Sequence, residues 1–121
     1  MVEVIALDKI GEHDRGATFV YDNDRTGQYI VAYRKAGSAN GRHYHKGVHP
    51  YKQPEKLILM SGEAVLNWKK IDSEENGSIH VKAPAMMIIP AMIWHEVVAV
   101  TDFVMLELNG LDAGKDDTFQ L

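Results

Sequence analysis

Two histidines two residues apart are the first sign of chemistry in this sequence. His43 and His45 follow the glycine-rich stretch 37–41, and residues i and i+2 of a β-strand lie on the same face. Glu55 opens the run EKLILM and His95 opens the run HEVVAV, so each stands at the start of a further predicted strand. Three imidazoles and one carboxylate suit Mn, Fe, Ni or Zn, which accept nitrogen and oxygen donors. We therefore predict that these four side chains bind one divalent metal and leave two octahedral positions for water or substrate.

The composition limits the other kinds of site and partner. The 121 residues include no cysteine, which excludes disulfides, thiolate catalysis and cysteine-ligated metals. Acidic residues outnumber basic ones by 17 to 13, and the net charge of −4 argues against a nucleic-acid partner. The chain opens without a signal-peptide pattern, and no apolar run approaches the roughly 20 residues that span a bilayer. We expect a cytoplasmic protein with no membrane partner.

Short runs of β-branched, aromatic and aliphatic residues recur along the chain and predict an all-β fold. Turn-forming stretches separate the runs, and no segment keeps a helical apolar spacing beyond one turn. The eight runs are 2–7, 17–21, 29–33, 56–60, 64–68, 86–89, 97–100 and 103–108. Strands of this number and spacing predict a sandwich or barrel, in one domain over residues 1–121. We expect the polar tail 111–121 to be an edge or loosely held.

The candidate ligands also fall in two motifs that resemble those of the cupin superfamily. The first motif, G-x5-H-x-H followed by E-x6-G, spans residues 37–62 and is met by Gly37, His43, His45, Glu55 and Gly62. The second keeps its spacing over residues 84–99, where Pro90 and His95 retain their residue types. The resemblance implies a double-stranded β-helix, the cupin jelly-roll barrel, with the site at its centre.

An insert distinguishes this sequence from the usual cupin pattern. Cupins usually place the glutamate a few residues after the second histidine, whereas residues 46–54, KGVHPYKQP, separate His45 from Glu55 here. Pro50 and Pro54 favour a loop between two strands. We interpret this loop as a lip over the barrel mouth that shapes substrate access.

Shorter matches resemble the RmlC-like cupins, which include ketoisomerases and epimerases of dTDP-sugar pathways. The matching segments are Asp14–Gly16, His43–Lys46 and Trp94–Glu96. This resemblance implies a histidine that acts as proton-transfer base, often without a metal, and makes His43, His45 and His95 catalytic candidates. Glu55 favours metal binding instead, because glutamine is frequent at that position in the sugar-modifying group.

The predicted strands also indicate what surrounds the site. If side chains alternate between the two faces of each strand, Tyr29, Tyr33 and Glu107 line a largely apolar pocket for a small-molecule ligand. Residues 57–60 and 97–100 are apolar on both faces, whereas a lone small barrel needs only one apolar face. Either the other sheet wall and the N-terminal strand or a second subunit must cover the outer face, and we favour the second subunit. We therefore predict a homodimer in which the second subunit covers the outer face.

Three functions fit these residues. The first is isomerase- or epimerase-type proton transfer on a sugar or sugar nucleotide, in which a metal polarises a carbonyl and a histidine or tyrosine acts as base. The second is an iron-dependent dioxygenase with the same ligands. The third is a barrel that binds or senses a small ligand without catalysis, because a fold does not fix a function. The sequence favours the first and leaves the other two open.

Overall fold

The computed structural model describes residues 1–121, and nearly all its regular structure is β. The helical content is one 3-10 turn, Pro50–Lys52, and one short helix, α1 (Leu111–Gly114). The strands are β1 (Glu3–Ala6), β2 (Asp8–His13), β3 (Gly16–Val20), β4 (Ile30–Arg34), β5 (Ala39–His43), β6 (Glu55–Ser61), β7 (Glu63–Lys70), β8 (Asn76–Lys82), β9 (Ala85–Ile89), β10 (Ile93–Ala99) and β11 (Phe103–Glu107). The all-β prediction is confirmed. No helix is long and apolar enough to cross a membrane.

Two antiparallel sheets form the body of the protein. One has the strand order β1-β9-β6-β11-β4 and the other the order β5-β10-β7-β8, while β2 and β3 pair only with each other. The longest pairing within the second sheet joins β10 to β7, from Ile93 opposite Lys70 to Ala99 opposite Ala64. This arrangement is a jelly roll, which confirms the predicted double-stranded β-helix.

The main core lies between the two sheets and extends to the candidate site. Leu59 of β6, Leu66 of β7 and Val97 of β10 all belong to one buried apolar cluster. Along β10 the buried residues alternate with partly exposed ones, so His95 lies on the same inner face as Val97. Strand β10 therefore places the imidazole of His95 in an apolar interior that is shielded from water.

The outer face of the five-stranded sheet is also apolar, as the sequence predicts. Ile58, which alternates with the inward-facing Leu59, packs with Met86 and Leu108 in a second cluster. Farther along this face Val31 is 53% exposed and Met60 is 52% exposed. The chain thus leaves part of this face uncovered.

The structure differs from the sequence-based expectation in three strands, and it decides between the two alternatives for the tail. Strands β2, β5 and β8 lie in glycine-rich or polar segments that we assigned to turns or left unassigned, because apolar alternation is weak there. Of the two alternatives for the tail, an edge or a loosely held segment, the structure shows a tail that pairs with the chain. Phe119 forms a β-bridge with Tyr44, and Asp117 is only 1% exposed.

Candidate active site

The fold brings the three predicted histidines together. His43 ends β5 and lies opposite His95 in the β5–β10 pairing, and His45 follows two residues later. Their ring centroids are 4.8 Å apart for His43 and His45, 5.0 Å for His43 and His95, and 5.7 Å for His45 and His95. One nitrogen of each ring lies within 4.8 Å of the other two.

Glu55 approaches these rings from the opposite sheet, because it opens β6. Its Oε1 is 3.1 Å from His95 Nε2, and its Oε2 is 3.6 Å from His45 Nε2. The ammonium group of Lys52 also donates a hydrogen bond to Oε2. Both partners of this ion pair are buried, with Lys52 6% and Glu55 2% exposed.

The surrounding charges keep Glu55 ionised. Burial alone would raise the pKa of its carboxyl, but the hydrogen bond from His95 and the charges of His95, Lys52 and His45 lower the pKa below its ordinary value of 4.5. The site therefore contains a fixed negative charge enclosed by nitrogen groups.

Backbone carbonyls orient two of the imidazoles. His45 Nδ1 is 2.6 Å from the carbonyl oxygen of Asp117, and His95 Nδ1 is 3.0 Å from that of Ile93. A carbonyl oxygen only accepts, so each Nδ1 carries the proton. His45 Nε2 is then left as a buried lone pair without a hydrogen-bond partner. His95 Nε2 faces the Glu55 carboxylate, and His95 donates both hydrogen bonds when its two nitrogens are protonated.

Burial also sets the charge state of the other two rings. Burial, together with the nearby charges of His95 and His45, lowers the pKa of His43 to about 4. Burial lowers the pKa of His45 as well, although the Glu55 carboxylate and the hydrogen bond to Asp117 oppose the shift. At neutral pH both rings are uncharged, so each offers a lone pair to a proton or a metal.

A cavity of about 250 Å³ opens beside these groups. It lies between the inner faces of the two sheets, and His43, Glu55 and His95 form part of its wall. Glu107 adds a second carboxyl, whose pKa is raised by burial and by the charge of Glu55. The remaining lining residues are Ala32, Arg34, Asn40, Gly41, Leu57, Val97 and Met105.

Two predicted pocket residues, Tyr29 and Tyr33, do not line this cavity. In β4 the inward residues are Ala32, which is 5% exposed, and Arg34, so Tyr33 points outward and is 73% exposed. Tyr29 packs on the outer-face cluster, and its hydroxyl donates to the carbonyl of Arg25. The predicted phase of β4 is therefore wrong. The outer face is itself apolar and accepts the bulky side chains, while the small Ala32 leaves room for the cavity.

The loop 46–54, the predicted lip, lines no part of this cavity but contacts its wall through the Lys52–Glu55 ion pair. The guanidinium of the buried Arg25 donates to the carbonyl oxygens of Tyr51 at 2.8 Å and Pro54 at 2.7 Å. The 3-10 turn between these anchors carries Lys52 to Glu55. Sequence reasoning missed both Lys52 and Arg25, because a lysine in a proline-rich loop and an arginine in a predicted turn resemble solvated residues.

The donor set fits a metal held by three imidazoles. The buried lone pair of His45 Nε2 lies close to a ring nitrogen of both His43 and His95, an arrangement that suits Zn or another nitrogen-preferring divalent ion. Glu55, the predicted fourth ligand, pairs with Lys52 through Oε2 and with His95 Nε2 through Oε1, so a metal bound by His95 or by Glu55 would replace these contacts.

Together, the jelly roll and the histidine cluster at its centre have the architecture of a cupin barrel. The family model of the polysaccharide biosynthesis C-terminal domain matches residues 12–119. This chain therefore belongs to the polysaccharide biosynthesis C-terminal domain family. No curated protein matches it at significant similarity.

Solved structures share the fold over nearly the whole chain. QdtA, a sugar 3,4-ketoisomerase from Thermoanaerobacterium thermosaccharolyticum, is 20% identical with a TM-score of 0.75, over 99% of this chain and 88% of QdtA. The dTDP-4-dehydrorhamnose 3,5-epimerase from Sulfolobus tokodaii is 13% identical with a TM-score of 0.76, over 97% of this chain and 74% of the epimerase. The capsular polysaccharide assembling protein CapF from Staphylococcus aureus is 25% identical with a TM-score of 0.64, over 95% of this chain but only 34% of CapF.

Proposed function

We propose that this protein is an isomerase or epimerase that moves a proton on a carbon next to the carbonyl group of a nucleotide-linked sugar. The observation that carries the proposal is the cavity in which the His43 imidazole, the Glu55–His95 pair and the Glu107 carboxyl converge. The family concerns polysaccharide biosynthesis, and similar folds occur in a ketoisomerase bound to TDP and in a 3,5-epimerase. Both findings support the same class of reaction.

His43 is the proposed base, because it lines the cavity and is the least buried of the three histidines. It removes the proton from a carbon beside the carbonyl, and the bonding electrons move to the carbonyl oxygen to give an enolate or enediolate. In a ketoisomerisation the proton returns to the former carbonyl carbon, and the hydroxyl on the deprotonated carbon passes its proton to the former carbonyl oxygen and becomes the new carbonyl. In an epimerisation a proton returns to the opposite face of the carbon that lost it, and the original carbonyl re-forms.

The charged groups behind His43 stabilise the developing negative charge. Lys52 brings a positive charge into a largely water-excluded site, where electrostatic stabilisation is strong. Asn40 can hydrogen-bond substrate hydroxyls, and Arg34 offers a cation suited to the diphosphate of the ligand.

A divalent metal is the second part of the proposal, with His43, His45 and His95 as the residues that would hold it. A metal bound there would polarise the substrate carbonyl. His43 would then be a ligand, and Glu107 would be the remaining cavity group able to take the proton. Metal analysis of protein purified without added metal distinguishes these two roles of His43.

We also propose a homodimer. The β2–β3 hairpin is almost wholly exposed, with Ile10 64% and Val20 45% accessible, and a two-stranded hairpin alone is only marginally stable in water. The exposed apolar residues on the outer face of the five-stranded sheet offer a second uncovered surface. A second copy of the chain would cover both.

The direct test is product analysis with nucleotide-linked keto-sugars. A histidine-to-asparagine variant of QdtA has been solved with TDP-4-keto-6-deoxyglucose, so this compound and its UDP-linked counterpart are suitable probes. NMR should show a new keto-sugar with the wild type and with His80→Asn, which changes an exposed histidine on β8. His43→Asn should lower the rate at least about a hundredfold. If the folded wild type and all variants convert none of the probes, the isomerase proposal is wrong.

A further inference from the structure

The C-terminal tail closes onto the strand end that carries His45. The backbone N–H of Tyr44 donates to the carbonyl of Phe119 at 2.9 Å, and the N–H of Phe119 donates back to Tyr44 at 3.0 Å. Their rings lie against each other with centroids 5.6 Å apart. This two-way pairing sets Asp117 beside His45.

The Asp117 side chain binds the turn that follows His45. Its Oδ1 accepts from the N–H of Lys46 at 2.7 Å, and its Oδ2 accepts from the N–H groups of Gly47 at 3.0 Å and Val48 at 2.9 Å. Three consecutive N–H groups thus point at one carboxylate that is only 1% exposed. Only a group with two acceptor oxygens and no donor satisfies all three.

The backbone of the same residue fixes the imidazole itself. The carbonyl of Asp117 accepts from His45 Nδ1 at 2.6 Å. This bond holds the proton on Nδ1, so the Nε2 lone pair points toward Glu55, 3.6 Å from its Oε2. The carboxylate anchors the turn on one side of His45, and the carbonyl anchors the ring.

We propose that Asp117 is a positioning residue that sets the tautomer and direction of His45. It touches neither the cavity nor the substrate proposed above, and it acts only through the histidine. This proposal rests on the proposed function only because that function makes His45 a residue of the site. The positioning of His45 by Asp117 is a property of the protein without substrate.

The experiment compares Asp117→Asn with Asp116→Asn in the full-length chain. Both variants replace a carboxylate with an amide, but Asp116 is exposed whereas Asp117 is buried. In Asp117→Asn the new NH₂ group faces backbone donors, so at least one N–H loses its acceptor and the segment shifts away from His45. The imidazole nitrogen resonances of His45, recorded at neutral pH by ¹⁵N NMR, report the tautomer directly.

We expect the wild type and Asp116→Asn to show His45 with Nδ1 protonated and Nε2 unprotonated. Asp117→Asn should lower the ratio of this tautomer to the other by about tenfold, the value of one typical hydrogen bond. A merely structural role would lower the melting temperature without changing the tautomer of the protein that remains folded. A folded Asp117→Asn that keeps the wild-type tautomer would overturn the proposal.

If Asp117→Asn does not fold, the tautomer of His45 in the wild type tests the proposal by itself. His45 with its proton on Nε2 would show that the Asp117 carbonyl does not hold the ring. The tautomer of His45 is measured without substrate turnover. The positioning proposal can therefore be refuted while the isomerase proposal stands, and the isomerase proposal can be refuted while the positioning proposal stands.

Discussion

Replacing Lys52 with methionine should destabilise the protein strongly, because it leaves a buried carboxylate without its ammonium partner. Lys52 and Glu55 are almost fully buried, with side chains 6% and 3% exposed. Methionine keeps the length and apolar stem of lysine but has no charge. The loss of one partner of a buried ion pair typically costs about 3–5 kcal/mol. His95 continues to donate to Glu55, so we expect the lower end, about 3 kcal/mol.

Urea unfolding measures this loss directly, with thermal unfolding as a second assay. A loss of about 3 kcal/mol corresponds to a fall of roughly 12 °C in Tm for a domain of this size. The pKa of Glu55 is lowered on folding, so its stabilising effect is present above the ordinary value of 4.5 and is lost as pH falls below it. The gap between wild type and Lys52→Met should therefore be full at pH 7 and should narrow below about pH 4.5.

Two further variants test whether the charge pairing is the cause. Lys56→Met removes the partner of Asp24, whose side chain is 66% exposed, and should cost less than about 1 kcal/mol. The double variant Lys52→Met/Glu55→Gln should lose less than the sum of the two single losses by at least about 2 kcal/mol. If Lys52→Met costs no more than the Lys56 control, or if the double variant is additive, the reasoning is refuted.

Three further predictions concern the turn at Gly62, the metal and the dimer. Gly62→Ala should cost more than about 2 kcal/mol in urea unfolding, because φ is +88° and the new Cβ would lie 2.3 Å from a backbone carbonyl oxygen; wild-type stability would contradict it. His45→Ala should lower zinc binding at least about tenfold in equilibrium dialysis while His80→Ala leaves it unchanged, and equal binding by the wild type and His45→Ala would contradict the metal site. Tyr33→Asp should shift the sedimenting species from dimer to monomer, and a wild type that is already monomeric would contradict the dimer.

Motif spacing predicted the main residues of the site, but the sequence did not predict which face of each strand points into the barrel. His43, His45, Glu55 and His95 could be placed together from sequence, because their spacing resembles that of the cupin motifs and the i, i+2 pair faces one way on a strand. The sequence could not predict which residues of β4 face the barrel interior, because this strand has apolar side chains on both of its faces. In the structure Tyr33 faces outward and Ala32 faces inward.

The groups that tune the site lay outside any recognisable pattern. Lys52 looks like a solvated loop lysine, and Asp117 lies in a polar tail, yet each is buried against a site residue. Such contacts depend on how the loop 46–54 and the tail pack across the barrel. That packing is tertiary information, which no local spacing encodes.

Solvent-deuterium exchange tests the central claim most directly. The protein is incubated in D₂O with TDP-4-keto-6-deoxyglucose and with its UDP-linked counterpart, and deuterium at the carbons beside the carbonyl is followed by NMR and mass spectrometry. We predict incorporation with the wild type and with His80→Asn, and loss of at least about a hundredfold in rate with His43→Asn. Absence of exchange with the folded wild type, or equal exchange with His43→Asn, would contradict proton transfer at this site.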